Sequence, residues 1–352
     1  MNEYNNNMKN KKYKGIVAID LFAGAGGLSR GLKDAGIKVL AGIDFDKSAK
    51  KSYEYNIKAP FITKDIKLLR AEEILKLLEG YEDYYFLLCG CAPCQAFSTR
   101  NSRQKEVDER RSLLLEFDRL INETSPDFVF MENVPGIRKR EPHVYETFVQ
   151  TLNNREYKYD ADVVNTKYFE VPQERKRFVL FASKHHNISL PIQVLNDTKV
   201  LTVRDAIAHL PALKAGEEHS VIKNHEAVNL IDINIERLKQ TPHDGGSRSD
   251  WTDDYLTAKC HQGKRGFGNS YGRLAWDKPA PTVTTRFYTY SSGRHGHPEQ
   301  NRAMSFKEGA LLQTFPADYI FFGNNGEKGK QIGNAVPPKM AYHFGRHFLE
   351  LV

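Results

Sequence analysis

Cysteine is scarce. Four in 352 residues are too few to staple a chain of this length, which excludes a disulfide scaffold and points to a reducing cytoplasm. Long apolar runs are missing as well. No stretch approaches the ~20 apolar residues of a membrane-spanning helix. The opening MNEYNNNMKNKKYK lacks the apolar core of a secretory leader, and residues 1–14 read as a flexible tail. Acid is in deficit: 44 Asp and Glu stand against 51 Lys and Arg, giving a net charge of +7 and a pI near 9.0. That balance suits a polyanionic partner. A hydrophobic content of 40% is enough for a packed core, and the length suggests two domains.

The first informative stretch is GIVAIDLF, residues 15–22, an apolar strand-like run. Ala23-Gly24-Ala25-Gly26-Gly27 follows, then the helix-like LSRGLKDAG with Gly36 as its C-cap. A second strand, Lys38 to Ile43, ends in Asp44-Phe45-Asp46. Strand, glycine turn, helix, strand and acid make a nucleotide-binding pattern, in which glycines let the backbone approach a ligand and the acid takes ribose hydroxyls. A dinucleotide fingerprint would need glycine at position 29, where Ser29 stands. The crowded Gly26-Gly27 pair favours a compact nucleoside, or a turn with no ligand at all. Asp65 closes the strand-like FITKDI. It could accept from an adenine amino group, or cap the helix-like LLRAEEILKLLEG that follows.

Tyr84 to Leu88 is another strand-like run, and it feeds GCAPCQAFS, residues 90–98. Pro93 cannot continue a strand ladder, so Cys94 falls just past a buried strand's carboxyl end, where α/β sheets keep their chemistry. Cys94 is the candidate nucleophile. The spacing Cys91-x-x-Cys94 also admits zinc or a redox pair. Zinc would have to recruit the adjacent Cys260 and His261, an awkward tetrahedron, and a redox pair leaves the glycine turn unexplained. The polar stretch TRNSRQKEVDERR, residues 99–111, reads as a mobile loop able to close over a substrate, or as an ordinary solvated one.

DFVFM, residues 127–131, runs into Glu132-Asn133-Val134-Pro135-Gly136. A carboxyl buried there would tend to keep its proton and could donate a hydrogen bond; the alternative is a cap. Val163 to Phe169 reads as a strand. In the extended VPQERKRFVLFAS, residues 171–183, Arg175 and Arg177 would share a face and need acceptors. From about 185 to 300 the helix–strand alternation is lost and basic, aromatic and glycine residues mix, a texture that suits nucleic acid or plain surface loops. Residues 302–316 read as a helix with Glu308 facing away from Ala310, Leu311 and Phe315. Gln331 to Pro338 then form a Gly-Asn turn before a last helix.

DLFAGAGGLSRGL (20–32), GCAPCQAFS (90–98), ENVPGI (132–137), QERKR (173–177), the 302–316 segment and QIGNAVPP (331–338) occur in that order. Together they resemble the DNA (cytosine-5)-methyltransferase family of the bacterial restriction–modification type, over residues 15–352. The resemblance implies an α/β fold: a Rossmann-like S-adenosylmethionine-dependent methyltransferase domain with a small irregular target-recognition domain. The catalytic domain would take 15–184 plus 325–352, the recognition domain 185–300 and a hinge 301–324. It implies that Cys94 attacks carbon 6 of a flipped-out cytosine, that protonated Glu132 hydrogen-bonds ring nitrogen 3, and that Arg177 with Arg175 holds the base oxygen and the catalytic groups. S-adenosylmethionine would be held by Phe22, by Ala23, Gly24, Gly26 and Gly27, by Asp44, Phe45, Asp65, Ile66 and Pro93, and by Asn334, Ala335 and Val336. Asp44 is one methylene shorter than the glutamate more usual in the family. Gln95, Ser98 and Arg111 would contact DNA, and no metal is required.

The resemblance further implies a cytoplasmic, monomeric enzyme acting on double-stranded DNA, with no membrane partner and a cognate endonuclease acting separately. A transfer-RNA cytosine-5 methyltransferase usually carries Cys-Phe-Thr and a short recognition region; neither is present. A catalytically silent regulator is disfavoured by intact Cys94, Glu132, Arg175 and Arg177. Amino-methylating DNA enzymes need an Asn/Asp-Pro-Pro-Tyr/Phe motif, which is also missing.

Overall fold

A computed structural model describes residues 13–92, 104–258 and 270–352, with the backbone alone for 104–112. The strands are β1 (Ile16–Leu21), β2 (Lys38–Asp44), β3 (Phe61–Thr63), β4 (Tyr85–Gly90), β5 (Phe128–Asn133), β6 (Lys158–Asn165), β7 (Gln173–Glu174), β8 (Lys176–Ser183) and β9 (Ala280–Pro281). The helices are α1 (Gly27–Ala35), α2 (Lys50–Ile57), α3 (Ala71–Leu77), α4 (Gln104–Thr124), α5 (Ile137–Arg140), α6 (Pro142–Asn154), α7 (Val203–Ile207), α8 (Asp232–Gln240), α9 (Phe306–Leu312), α10 (Asn325–Gly333) and α11 (Pro338–Leu349). Among the described residues, no helix is long and apolar enough to cross a membrane.

The described residues group into two compact units. Unit 1 lies within Met1–Val164, Lys176–Ile192 and Ala341–Val352; unit 2 lies within Asn165–Arg175 and Gln193–Met340. The grouping differs from the expected domain bounds: 185–192 falls in unit 1, the expected hinge 301–324 falls in unit 2, and so do 165–175 and 325–340. Gln173 and Arg175 bond to Val283, Gln313 and Gly333, which draws both segments into unit 2.

Unit 1 is built on a seven-stranded sheet in the order β3-β2-β1-β4-β5-β8-β6. The ladders among β1 to β5 are parallel, and β5 pairs β8 antiparallel. A parallel sheet is covered on both faces, so its strands are apolar throughout rather than alternating. IVAIDL in β1 and FVFMEN in β5 are buried at every residue. The order reverses between β1 and β4, and ligands collect at such switch points beyond the strands' carboxyl ends.

Several expected elements shift. The basic stretch expected as a loop is helical from Gln104. The strand expected at Val163–Phe169 runs from Lys158 to Asn165, followed by a 3₁₀ turn. The helix expected over 302–316 is confined to Phe306–Leu312 and starts where Ser305 and Glu308 form a capping box.

That box corrects the expectation for Glu308. Its side chain is buried, and the equally buried Arg302 donates to both of its oxygens at 2.7 and 2.6 Å. Burial works to raise the carboxyl, but Arg302, His297 and the Ser305 N–H outweigh it and hold it at about 2.

Burial pushes His295 and His297 in unit 2 down to about 4 from 6.5. Histidines depressed in the fold take up protons on unfolding. Their stabilisation is therefore complete above pH 6.5 and is lost as pH falls from 6.5 toward 4. Each contributes on the order of 3 kcal/mol at full shift. Both tryptophans, Trp251 and Trp276, belong to unit 2, so tryptophan fluorescence reads this unit. Its melting temperature is expected to fall steeply between pH 6.5 and 4, and less in a His295→Asn protein.

Candidate active site and cofactor cleft

Phe22 follows β1 with φ 58°, a left-handed conformation that is costly for a bulky residue and persists only where the surroundings enforce it. The enforcement is visible. The Ala23 N–H donates to Ile43 O at 3.3 Å, and the Gly24 N–H to Asp44 Oδ2 at 2.9 Å. Gly26 caps α1 with φ 87°, and a Cβ there would lie 2.8 Å from Ile57 and 2.9 Å from Tyr53. Gly42 admits the same Tyr53, whose ring would stand 2.4 Å from an added Cβ. The turn is thus clamped to β2 and to α2 beneath it.

A cleft of about 190 Å³ opens beside this turn, walled by the apolar Leu21, Phe22, Ile43, Phe45, Ile66 and Leu113, with Asp44, Lys64, Asp65 and Lys67 on its polar side. Asp44 Oδ1 accepts the Asp46 N–H at 2.9 Å while Oδ2 holds Gly24. Burial raises its carboxyl, against these backbone donors. A carboxylate accepts about four hydrogen bonds, so Asp44 keeps capacity for ribose hydroxyls. Phe45 is 66% exposed, an apolar face held open. Asp65 is exposed and caps a 3₁₀ turn through the Lys67 N–H, while Ile66 is buried. Two apolar sides and an acid with spare acceptors fit a purine nucleoside, and the residues present fit S-adenosylmethionine at this end.

The second half of the site lies at the carboxyl ends of β4 and β5. Gly90 pairs Met131, so Cys91 and Glu132 follow side by side. Asn133 Nδ2 donates to Ala92 O at 3.4 Å. Because β8 is antiparallel, its beginning meets the end of β5, with Asn133 paired to Phe178. This brings Arg177 Nε to 2.8 Å from Glu132 Oε1 in a largely buried pair. The fold thus places a guanidinium directly against the Glu132 carboxyl. Burial and then Glu132 push the Cys91 thiol well above its usual range, which leaves it a neutral neighbour.

Arg175 corrects the shared-face expectation. Its guanidinium donates to Val283 O at 3.2 Å and Gly333 O at 3.0 Å, inside unit 2, because the strand breaks between β7 and β8. Asn334 is exposed at the end of α10, Ala335 is half-buried and Val336 is buried. Pro93, Cys94, Gln95 and Ser98 lie outside the described residues, and Arg111 lies in α4. Among the described residues, no group of three or more His, Cys, Asp or Glu could hold a metal.

Sequence reasoning missed Asp20, Ser29 and Tyr53, which support the turn from below, and Leu113 on the cleft wall. The absent third glycine at position 29 was the available signal for Ser29. Nothing local marked Leu113, which arrives from α4.

The family model described as C-5 cytosine-specific DNA methylase matches residues 16–350. The type II methylase M.HgiDII of Herpetosiphon aurantiacus is 42% identical over 326 residues, covering 91% of each chain. The type II methyltransferase M1.HphI of Haemophilus parahaemolyticus is 32% identical, covering 96% of this chain and 87% of its own. Among solved structures, the Schizosaccharomyces pombe Dnmt2 methyltransferase superposes with a TM-score of 0.64 at 17% identity, over 96% of this chain and 99% of its own, a likeness of fold alone. With a family match across nearly its whole length, this chain belongs to the C-5 cytosine-specific DNA methylase family and is a DNA (cytosine-5)-methyltransferase.

Proposed function

We propose that the enzyme methylates carbon 5 of cytosine within one short double-stranded DNA sequence, using S-adenosylmethionine and a covalent adduct of Cys94 on a base turned out of the duplex. The Glu132–Arg177 pair at 2.8 Å, on the strand end next to the one that leads into Cys94, carries this reading. A cytosine inside a duplex is out of reach, and extruding it costs a few kcal/mol of stacking.

The Cys94 thiolate adds to carbon 6, and the ring electrons move toward nitrogen 3. Glu132 delivers a proton or hydrogen bond there, where negative charge develops. Arg177 holds the Glu132 carboxyl in place and faces the base oxygen. The adduct leaves carbon 5 electron-rich. S-adenosylmethionine, when bound, supplies an electrophilic methyl group. Solvent then takes the carbon-5 proton, the carbon 6–sulfur bond breaks to release the Cys94 thiolate, and nitrogen 3 returns its proton to Glu132, which restores the aromatic ring.

Phe22 and Phe45 would flank adenine, Asp65 and Ile66 would read its edge, and Asp44 would take the ribose. Ala23, Gly24, Gly26 and Gly27 would lie along the methionine end, with Pro93, Asn334, Ala335 and Val336 completing the site. Arg175 would support the catalytic groups through its own segment, and Gln95, Ser98 and Arg111 would contact DNA. The setting we propose is a cytoplasmic, monomeric enzyme that protects host DNA from a separate endonuclease, as the type II relatives suggest.

Mapping 5-methylcytosine at base resolution on unmethylated plasmid DNA treated with the enzyme and S-adenosylmethionine tests the reading. Marks at one short motif are expected. Marks scattered over all cytosines would remove the specificity, and unmarked DNA would remove the substrate.

A further inference from the structure

The N-terminus of α1 carries the glycine-rich turn, yet its cap residue, Gly26, has no side chain to satisfy it. The missing acceptor comes from the strand below. Asp20, buried at the end of β1, takes the Ser29 hydroxyl at 2.6 Å, and the Ser29 N–H as well. Ser29 in turn meets the Tyr53 hydroxyl at 2.9 Å. An anion at a helix N-terminus both accepts orphan N–H groups and meets the positive end of the helix dipole. The turn therefore hangs between two carboxylates: Asp44 holds Gly24, and Asp20 holds Ser29.

We propose that Asp20 is a positioning residue for the methyl donor: ionised, it fixes the start of α1 and the turn above it through Ser29, and protonated, it loosens both. This rests on the assignment of the cleft to S-adenosylmethionine. The titratable groups facing Asp20 are few. They are Asp44 from β2, Cys89 and Cys91 from β4, and Tyr53 from α2. Burial keeps both thiols protonated. Among the described residues, no cation is a cause of the Asp20 shift. Burial first, and the Asp44 charge last, push Asp20 up to about 7, against the Ser29 donors. A carboxyl at that level changes charge near neutral pH.

The sign follows from linkage. If the donor binds the ionised form, affinity is full above the titration and declines below it, by up to about tenfold for each pH unit well below the midpoint. Asp44 titrates too, but it takes no bond from Ser29. Removing the Ser29 hydroxyl deprives only Asp20 of a donor to its charged form, so the midpoint moves to higher pH.

The test is calorimetric binding of S-adenosylhomocysteine to the full chain from pH 6 to pH 8, without DNA. Wild type is expected to bind up to about tenfold more weakly at pH 6 than at pH 8. Asp20→Asn should be flat across that range, and Ser29→Ala should retain the dependence with its midpoint raised. A flat wild type, an unchanged slope in Asp20→Asn, or an unmoved midpoint in Ser29→Ala overturns the proposal. Absence of binding at every pH overturns the cofactor reading, and the proposal with it. Should Asp20→Asn fold poorly, the Ser29→Ala midpoint decides alone.

Discussion

Glu132→Gln is expected to lower methyl transfer by about 10²–10⁴-fold, the usual scale of a positioned acid, and Cys94→Ser to abolish it. The reasoning separates the two groups. Glutamine keeps the shape of glutamate, and its carbonyl can still accept from Arg177 Nε, now 2.8 Å from Glu132 Oε1. It can offer nitrogen 3 an amide N–H but cannot deliver a proton. The loss therefore reads proton delivery rather than binding. A serine hydroxyl at position 94 stays protonated where a thiol ionises, so the covalent step fails at its first bond. Both variants should bind S-adenosylhomocysteine as wild type does, because the cleft is lined from the ends of β1 and β2, the turns after β1 to β3 and Leu113 of α4, and includes neither residue. Single-turnover methylation with saturating cofactor checks the first claim, and calorimetry the second. Full activity in Cys94→Ser would remove the nucleophile from the mechanism.

Arg302→Met is expected to destabilise unit 2 by about 3–5 kcal/mol, the cost of stranding a buried charge. Arg302 and Glu308 are both shielded from water and joined by two hydrogen bonds. Glu308 also accepts the Ser305 N–H at 2.8 Å, and so caps α9. Methionine fills much of the arginine volume but leaves the carboxylate unpaired. Adding Glu308→Gln removes that charge and keeps a cap acceptor, so the double variant should recover part of the loss. Urea unfolding followed by tryptophan fluorescence measures both. A single variant as stable as wild type would show that the pair contributes nothing net.

The parts of the fold legible in the sequence are those set by local pattern. The apolar run before the glycine turn, Asp44 at the end of β2, Gly36 as a C-cap and the loss of alternation after residue 185 depend on near neighbours. The misread parts depend on tertiary partners. Arg175 and Arg177 lie two apart in an apparently extended segment, yet their strand breaks and each finds its own acceptor. Glu308 lies on a helix whose periodicity turns it outward; only Arg302, six residues earlier, makes its burial affordable. Asp20 looks like one polar residue in an apolar strand until Ser29 and Tyr53 close on it.

The path of the chain between units has a consequence for chimera construction. Unit 2 is not a single insert: the chain passes between units at 164/165, 175/176, 192/193 and 340/341. Exchanging residues 193–340 for those of a relative would leave Gln173 and Arg175 behind. These two hold the incoming segment through Leu312 O, Val283 N and O, and Gly333 O. Backbone groups are common to every sequence. The side chains that the donor chain must match include Gln313, whose oxygen accepts from Gln173 at 2.7 Å, Asp197, which accepts from Lys167 and Tyr168 at 2.8 and 2.9 Å, and Lys339, 3.6 Å from Glu170.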